Sequence, residues 1–213
     1  MEKIGEFCSK YFKKGQQVGV IGRLQVRNWE DEQGQKIESP FVATPPIQRL
    51  EPRQRSQVKI EKLTNANLPQ DRESVYYFNF RQIPPKSNKP NVLQLTVQTK
   101  IKLFYRPENL FLEGTEITNN PWQKKLILKE SSQGFIAQNP TPYYITISSI
   151  SADKGGETID GFQSFMVAPF SEQVLTLKPS ELGISPYITY IDDYGSKKVL
   201  SYTCAQMKCE IAQ

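Results

Sequence analysis

The sequence predicts a mainly β protein organised as two β-sandwich domains, on three features. The stretch Asn91–Pro107 carries period-two alternation over eleven residues. From Leu93 to Leu103 the odd positions read Leu, Leu, Val, Thr, Ile, Leu, and the even positions between them Gln, Thr, Gln, Lys, Lys. Successive side chains on a strand point to opposite faces, so this pattern makes one apolar face and one polar face. Elsewhere, apolar runs of strand length recur about every 8–12 residues between turn signals, in a chain with fifteen prolines, which argues for sandwiches over helices. Finally, Pro107–Pro121 breaks the pattern with Glu, Asn, Gly and Thr. It divides the 213-residue chain into a first domain over 1–107, a linker over 108–121 and a second domain over 122–213, each domain of ordinary size.

The elements follow in order. Residues 4–14 place Ile4, Phe7, Cys8, Tyr11 and Phe12 on one helical face, and Lys13, Lys14 and Gly15 supply the stop. GVIGRLQV and the region around RNWE read as strands with a turn at Asp31–Gly34. FVATPP ends in a Pro-Pro turn, QVKIEKL is a strand, and SVYYFNFRQI is another, closed by Pro84 and Pro85. A loop with Lys86, Asn88 and Lys89 leads into the long alternating strand. Beyond the linker come KKLILKE, GFIAQN, YYITISSI, a Gly155–Gly156 turn, QSFMVA, QVLTLK, ITYIDD and VLSYTC. No repeat of 20–50 residues is visible.

Composition excludes several function classes. Apolar content of 38% with 23% charged residues is that of a folded domain. A net charge of +5 permits an anionic partner without requiring nucleic acid. There is no histidine, which removes the commonest general base and the commonest metal ligand together. No catalytic constellation emerges, so the expectation is a binding protein with no enzyme activity, no cofactor and no metal. Of the three cysteines, Cys204 and Cys209 flank a short turn between strand-like segments, and a hairpin brings their sulfurs together. A disulfide there is worth about 2 kcal/mol in the chain-entropy model and implies an oxidising compartment. A metal site is the rival, with only two thiols to offer it. Cys8 is left over as a buried or free thiol. No run approaches the ~18 apolar residues of a membrane span, so no membrane insertion is expected. MEKIGEFCSKYFKKG lacks the apolar core of a signal peptide.

A strand running from Leu93 to Leu103 is about twice the usual ~5–6 residues. Such a strand outruns its own sheet and leaves an apolar row and unpaired backbone groups, which soluble proteins normally avoid. It is either a long core strand or a strand shaped to pair with another polypeptide.

From about Trp29 onward the chain resembles the periplasmic pilus chaperones of the chaperone–usher pathway, nearest the P-pilus type. The matching stretches are PFVATPPIQRLEP, LPQDRESVYYFNFRQIPPKS, NVLQLTVQTKIKLFYRP, NPTPYYITI, PYITYIDDYG and the closing Cys204…Cys209 pair. The resemblance implies two immunoglobulin-like domains, a periplasmic location, pilin subunits and an outer-membrane usher as partners, and no use of ATP. It implies that Lys102 is the cleft lysine anchoring the subunit's C-terminal carboxylate, where a charge-assisted bond is strong. Leu93, Leu95 and Val97 would fill the groove of a pilin that lacks its last strand. Glu73, Arg106 and Asp193 would form a charged trio bridging the domains. Self-association through the same exposed strand is a further expectation.

The first residues fit this family poorly. FCSKYFKKGQQVGVIGRLQVRNWEDEQGQK, within residues 1–36, resembles part of a bacterial single-stranded DNA-binding protein of OB-fold type. That predicts a chimera spliced near Trp29–Lys36, engineered or recombinant, with an OB-like helix and strand in place of the usual first strands of the sandwich. It also predicts loss of the arginine that the family pairs with its cleft lysine, with Arg23 or Arg27 as accidental substitutes. Two alternatives follow: a hybrid without chaperone activity, or single-stranded nucleic-acid binding through Lys10, Lys13, Lys14, Arg23, Arg27 and Trp29, basic groups interleaved with stacking surfaces.

Overall fold

The computed structural model describes residues 18–25, 39–50, 54–83, 96–131, 134–175, 177, 179–205 and 208–212. The expected helix over 4–14, Cys8, the RNWE strand, Leu93 and Leu95 lie outside these residues. The chain divides into two compact units, Met1–Leu68 with Ser74–Tyr105, and Pro69–Glu73 with Arg106–Gln213.

The first unit holds a four-stranded antiparallel sheet of β1 (Val18–Gln25), β3 (Ile47–Leu50), β5 (Ser74–Ile83) and β6 (Gln98–Tyr105), in the order β3-β1-β5-β6. A two-stranded sheet pairs β2 (Phe41–Thr44) with β4 (Lys59–Lys62). β5 is rich in aromatic residues that suit a pleated, half-buried surface. Tyr76, Phe78 and Phe80 share one of its faces. Phe41, buried on β2, meets Tyr76 edge-on with ring centroids 4.9 Å apart and lies 6.0 Å from Tyr105 of β6. The Thr44–Pro45 bond that follows β2 is cis. β1 runs between β3 and β5, with Arg23 in register with Asn79. Val18–Gln25 is therefore an interior strand of this sheet, with a strand of its own unit on each margin.

The second unit is a β-sandwich. Its strands are β7 (Ile127–Ser131), β8 (Gly134–Asn139), β9 (Ile145–Ser151), β10 (Phe165–Val167), β11 (Ser171–Leu175), β12 (Tyr187–Ile191), β13 (Lys197–Ala205) and β14 (Lys208–Ile211), in the order β10-β9-β12-β13-β14-β7-β8-β11. β13 turns the corner. Lys197–Ser201 pair with β12, and Tyr202–Ala205 pair with β14 in the other sheet. Alternation fills the space between the sheets with Leu128, Phe135, Ala137, Ile145, Ile147, Ile188, Leu200 and Tyr202, all buried. Full burial of a large apolar side chain contributes about 1.5–3 kcal/mol. The Tyr202 hydroxyl donates to the Leu126 carbonyl at 2.8 Å. Gly134 sits at φ 127°, where a Cβ would lie 2.3 Å from the Leu175 carbonyl oxygen. Cys204 faces Cys209 across the β13–β14 hairpin, and their sulfurs are bonded.

Residues 108–121, which composition marks as a linker, are folded onto the second unit. They contain a 3-10 turn at Glu108–Leu110 and a short helix at Gly114–Asn119, and Leu110, Leu112 and Ile117 pack against the sandwich core. Glycine and threonine make the segment look like a coil, but three of its four large apolar side chains find a surface, and only Phe111 stays exposed.

One buried polar residue organises the β8–β9 turn. The Asn139 amide donates to the carbonyls of Tyr143 (2.7 Å), Ala168 (3.0 Å) and Val167 (3.3 Å), and its oxygen accepts from the backbone N–H (3.0 Å) and hydroxyl (2.7 Å) of Thr141. Truncation strands several buried groups at once, each costing about 1–3 kcal/mol. Asn139→Ala should therefore lose about 3 kcal/mol or more in urea unfolding followed by tryptophan fluorescence. A loss below about 1 kcal/mol would show that the turn holds itself without the side chain.

Candidate functional site

β6 is the outermost strand of its sheet among the described residues and ladders with β5 alone. The Val97 carbonyl extends the ladder by accepting from the Gln82 N–H at 2.9 Å. Thr99, Leu103 and Tyr105 on the apolar row are half-buried, but Ile101 in the middle of that row is 53% exposed. An edge strand presents backbone groups to any chain that can add a further strand. Here the edge is also apolar on one side, the combination that strand addition uses.

The other side of β6 carries Gln98, Lys100 and Lys102, all exposed. Lys102 stands in register with Tyr77 and Lys100 with Asn79, while Arg81 of β5 faces Gln98. The Lys100 ammonium lies 3.9 Å from the centre of the Tyr77 ring, a cation–π contact. Partial burial of Lys102 lowers its pKa from the usual lysine value by desolvation. Loss of water around an ammonium strengthens its attraction for an incoming carboxylate. Among the described residues no group of three or more His, Cys, Asp and Glu is placed to hold a metal.

The charged trio assembles within the second unit. Arg106 donates from Nε to Glu73 Oε1 at 2.8 Å, and its Nη2 lies 2.7 Å from the same oxygen and 2.9 Å from Asp193 Oδ2. The other Glu73 oxygen accepts the Tyr144 N–H at 2.7 Å, and the Glu73 N–H donates to the Pro142 carbonyl at 2.8 Å. The guanidinium stacks on Trp122 and Tyr143, whose ring centroids lie 4.8 and 4.9 Å from it. Glu73 is buried, and desolvation pushes its carboxyl pKa up against the lowering pull of the Tyr144 N–H and Arg106. Burial also opposes the charge on Arg106, but the Glu73 and Asp193 carboxylates outweigh it and hold its pKa above the ordinary value.

Of the residues singled out in the sequence, Lys102 and Val97 lie on or beside the β6 edge, and Glu73, Arg106 and Asp193 meet. Arg23 lies on β1, whereas Lys10, Lys13, Lys14, Arg27 and Trp29 are outside the described residues. Sequence reasoning missed the aromatic shelf of Trp122 and Tyr143 beneath Arg106. It also missed the Lys100–Tyr77 pair, which the alternation from Leu93 to Leu103 and the aromatic run at Tyr76–Tyr77 would have revealed once the two strands were paired.

Comparison with known proteins gives two family matches. Residues 16–111 match the N-terminal domain of the PapD pili and flagellar-assembly chaperones, and residues 121–202 match the C-terminal domain of the PapD pili assembly chaperones. The chain is 43% identical to a probable fimbrial chaperone, YfcS, of Escherichia coli K12, over 87% of this chain and 72% of that protein. It is 43% identical to chaperone protein PapD of Escherichia coli, over 86% and 75%. Among solved structures, the CupB2 chaperone of Pseudomonas aeruginosa superposes with a TM-score of 0.66 at 26% identity, covering 91% of this chain and 89% of that one. The SafB chaperone in complex with the SafA pilin from Salmonella enterica has the same fold, with a TM-score of 0.67 at 24% identity over 90% and 85%. The N-terminal match starts at residue 16, inside the segment that resembled a DNA-binding protein, so a splice at Trp29–Lys36 finds no support. Continuous matches to both domains, in order and over most of the sequence, make this chain a member of the PapD family of pilus assembly chaperones.

Proposed function

We propose that this protein acts in the periplasm as a chaperone that caps pilus subunits, lending them β6 and its upstream extension as a missing strand and holding their C-terminal carboxylate on Lys102. It passes them to an outer-membrane usher, and it works by binding, without catalysis. The observation that carries this reading is the β6 edge, with a half-bare Ile101 on one side and Lys102 on the other. Backbone hydrogen bonds supply affinity, the apolar row supplies fit, and a charge-assisted bond fixes the end of the guest. Leu93, Leu95 and Val97 are assigned to the groove of the subunit by the same reasoning. Glu73, Arg106 and Asp193 are assigned a bracing role. Glu73 immediately precedes β5 and Arg106 immediately follows β6, so their pairing pins both ends of the β5–β6 segment.

Two outcomes test this. A peptide copying a subunit's last strand should bind, and Lys102→Ala should weaken it about tenfold to about a hundredfold, the worth of a hydrogen bond to a charged group. Equal binding by the two proteins, or by amidated and free-acid peptides, would count against carboxylate capture. For the brace, the raised pKa of Glu73 sets the sign of a pH effect. A buried acid whose folded pKa exceeds its unfolded one takes up its proton more readily when folded. Its contribution to stability therefore falls as pH rises through the folded value and is recovered on acidification toward the unfolded value near 4.5. In urea unfolding between about pH 4.5 and pH 7, the wild type should gain on Glu73→Gln as pH falls. The opposite slope would mean that attraction to Arg106 dominates over burial.

A further inference from the structure

Resting on the strand-donor reading above, we propose that the polar side of β6 is a second recognition surface. In it Lys100, with Arg81, selects subunit strands that carry an acidic side chain upstream of the C-terminal carboxylate. Lys100 and Lys102 are two residues apart on one strand and so project from the same face about 6.6 Å apart. Arg81 lies diagonally across from Lys100 on that face, because Arg81 pairs with Gln98 and Asn79 with Lys100. Their cross-strand neighbours on β5 and β6 are neutral: Tyr77, Asn79 and Gln98. Among the described residues no carboxylate pairs with any of the three cations, although Glu and Asp elsewhere do take up Lys59, Arg72, Arg106 and Lys208. A row of like charges left uncompensated is costly, and an anionic strand laid beside it removes that cost.

Two details make Lys100 more than a solvated edge lysine. Its ammonium is seated on the Tyr77 ring at 3.9 Å, which restricts a normally mobile side chain before any partner arrives. Beneath it Asn79 is 6% exposed and accepts a hydrogen bond from the Gln98 amide at 3.2 Å, so the platform around the lysine is ordered. The direction of the guest follows from its two anchor points. A strand that ends at Lys102 and fills its groove with Leu93, Leu95 and Val97 must run parallel to β6. Its side chain two residues before the terminus then lies level with Lys100, on the polar side. Residues in the intervening positions face Ile101 and Thr99 and should be apolar. The guest chemistry is thus a carboxylate-terminated strand, alternately apolar and polar, with Asp or Glu near its end.

The test uses the whole protein and a set of free-acid peptides of neutral alternating sequence, in which a single Glu is walked through the last six positions. Affinities are measured by fluorescence anisotropy at low salt. Glu should tighten binding about three- to fivefold over Gln at alternate positions only, most strongly two residues from the end. The gain should vanish in Lys100→Gln, shrink in Arg81→Gln and disappear at about 0.5 M salt. If peptides bind through Lys102 but Glu and Gln are equivalent at every position, the inference is overturned while the strand-donor reading stands. It is overturned in the same way if Lys100→Gln raises aggregation and leaves the peptide preference intact, since the lysine would then be guarding the edge against other chains. If no peptide binds in a Lys102-dependent way, the parent reading falls and takes the inference with it.

Discussion

Backbone hydrogen bonding is the constraint from which the rest of this protein follows. A strand has two margins, and β6 fills one of them with β5. The ladder sets which side chains share a face. Every feature assigned to recognition, the row through Ile101 and the cations at Lys100 and Lys102, inherits its position from the register of β6 against β5. A one-residue slip would exchange the two faces and put lysine where a guest's apolar side chain belongs. Phe41 of β2 packs against Tyr76 of β5 and lies 6.0 Å from Tyr105 of β6, so the inward face of both strands is tied to one aromatic cluster. The packing inside the first unit therefore sets the geometry offered outside it.

The two units differ in how they secure themselves. The second has a continuous buried cluster, a strand that belongs to both sheets, a disulfide across one hairpin and Asn139 bound at both ends of its amide. In the first unit the buried apolar side chains among the described residues are Phe41, Ala43 and Leu68, and the inward residues of β5 are half-buried. An added strand beside β6 would cover apolar surface such as Ile101, which is 53% exposed. Ligand binding to a folded state raises its stability by mass action, so strand donation would stabilise donor as well as guest.

Much of this was legible in the sequence, for reasons that can be traced to residues. β5 coincides with SVYYFNFRQI because aromatic and β-branched residues dominate it from its first turn of alternation to the Pro84–Pro85 stop. Gly134–Asn139 and Ile145–Ser151 were visible because each is an apolar run bounded by turn residues. β3 escaped notice because Ile47–Leu50 is four residues long and carries Gln48 and Arg49, too brief for alternation to register. The helix at Gly114–Asn119 was hidden behind glycine, threonine and asparagine, which are poor helix formers, and it survives through the packing of Ile117 and its neighbours. Arg106 finds Glu73 and Asp193 from distant parts of the chain, and only the family resemblance pointed to that meeting. Nothing local marks Asn139 as buried, since it looks like the polar exit of a strand.

The N-terminal segment shows why local pattern and function separate. GRLQVRNWED carries basic and aromatic residues in strand alternation, and a nucleic-acid groove and the interior of a sandwich sheet both accept such a pattern. Composition alone does not choose between them, because a strand's neighbours decide what its faces meet. Once Val18–Gln25 is placed with β3 on one margin and β5 on the other, both of its margins are occupied by its own domain. The same local signal on β6 has the opposite meaning, because there the second margin has no strand of this sheet beside it among the described residues. Position in the sheet, more than the residues themselves, separates a strand that builds the protein from one that it lends.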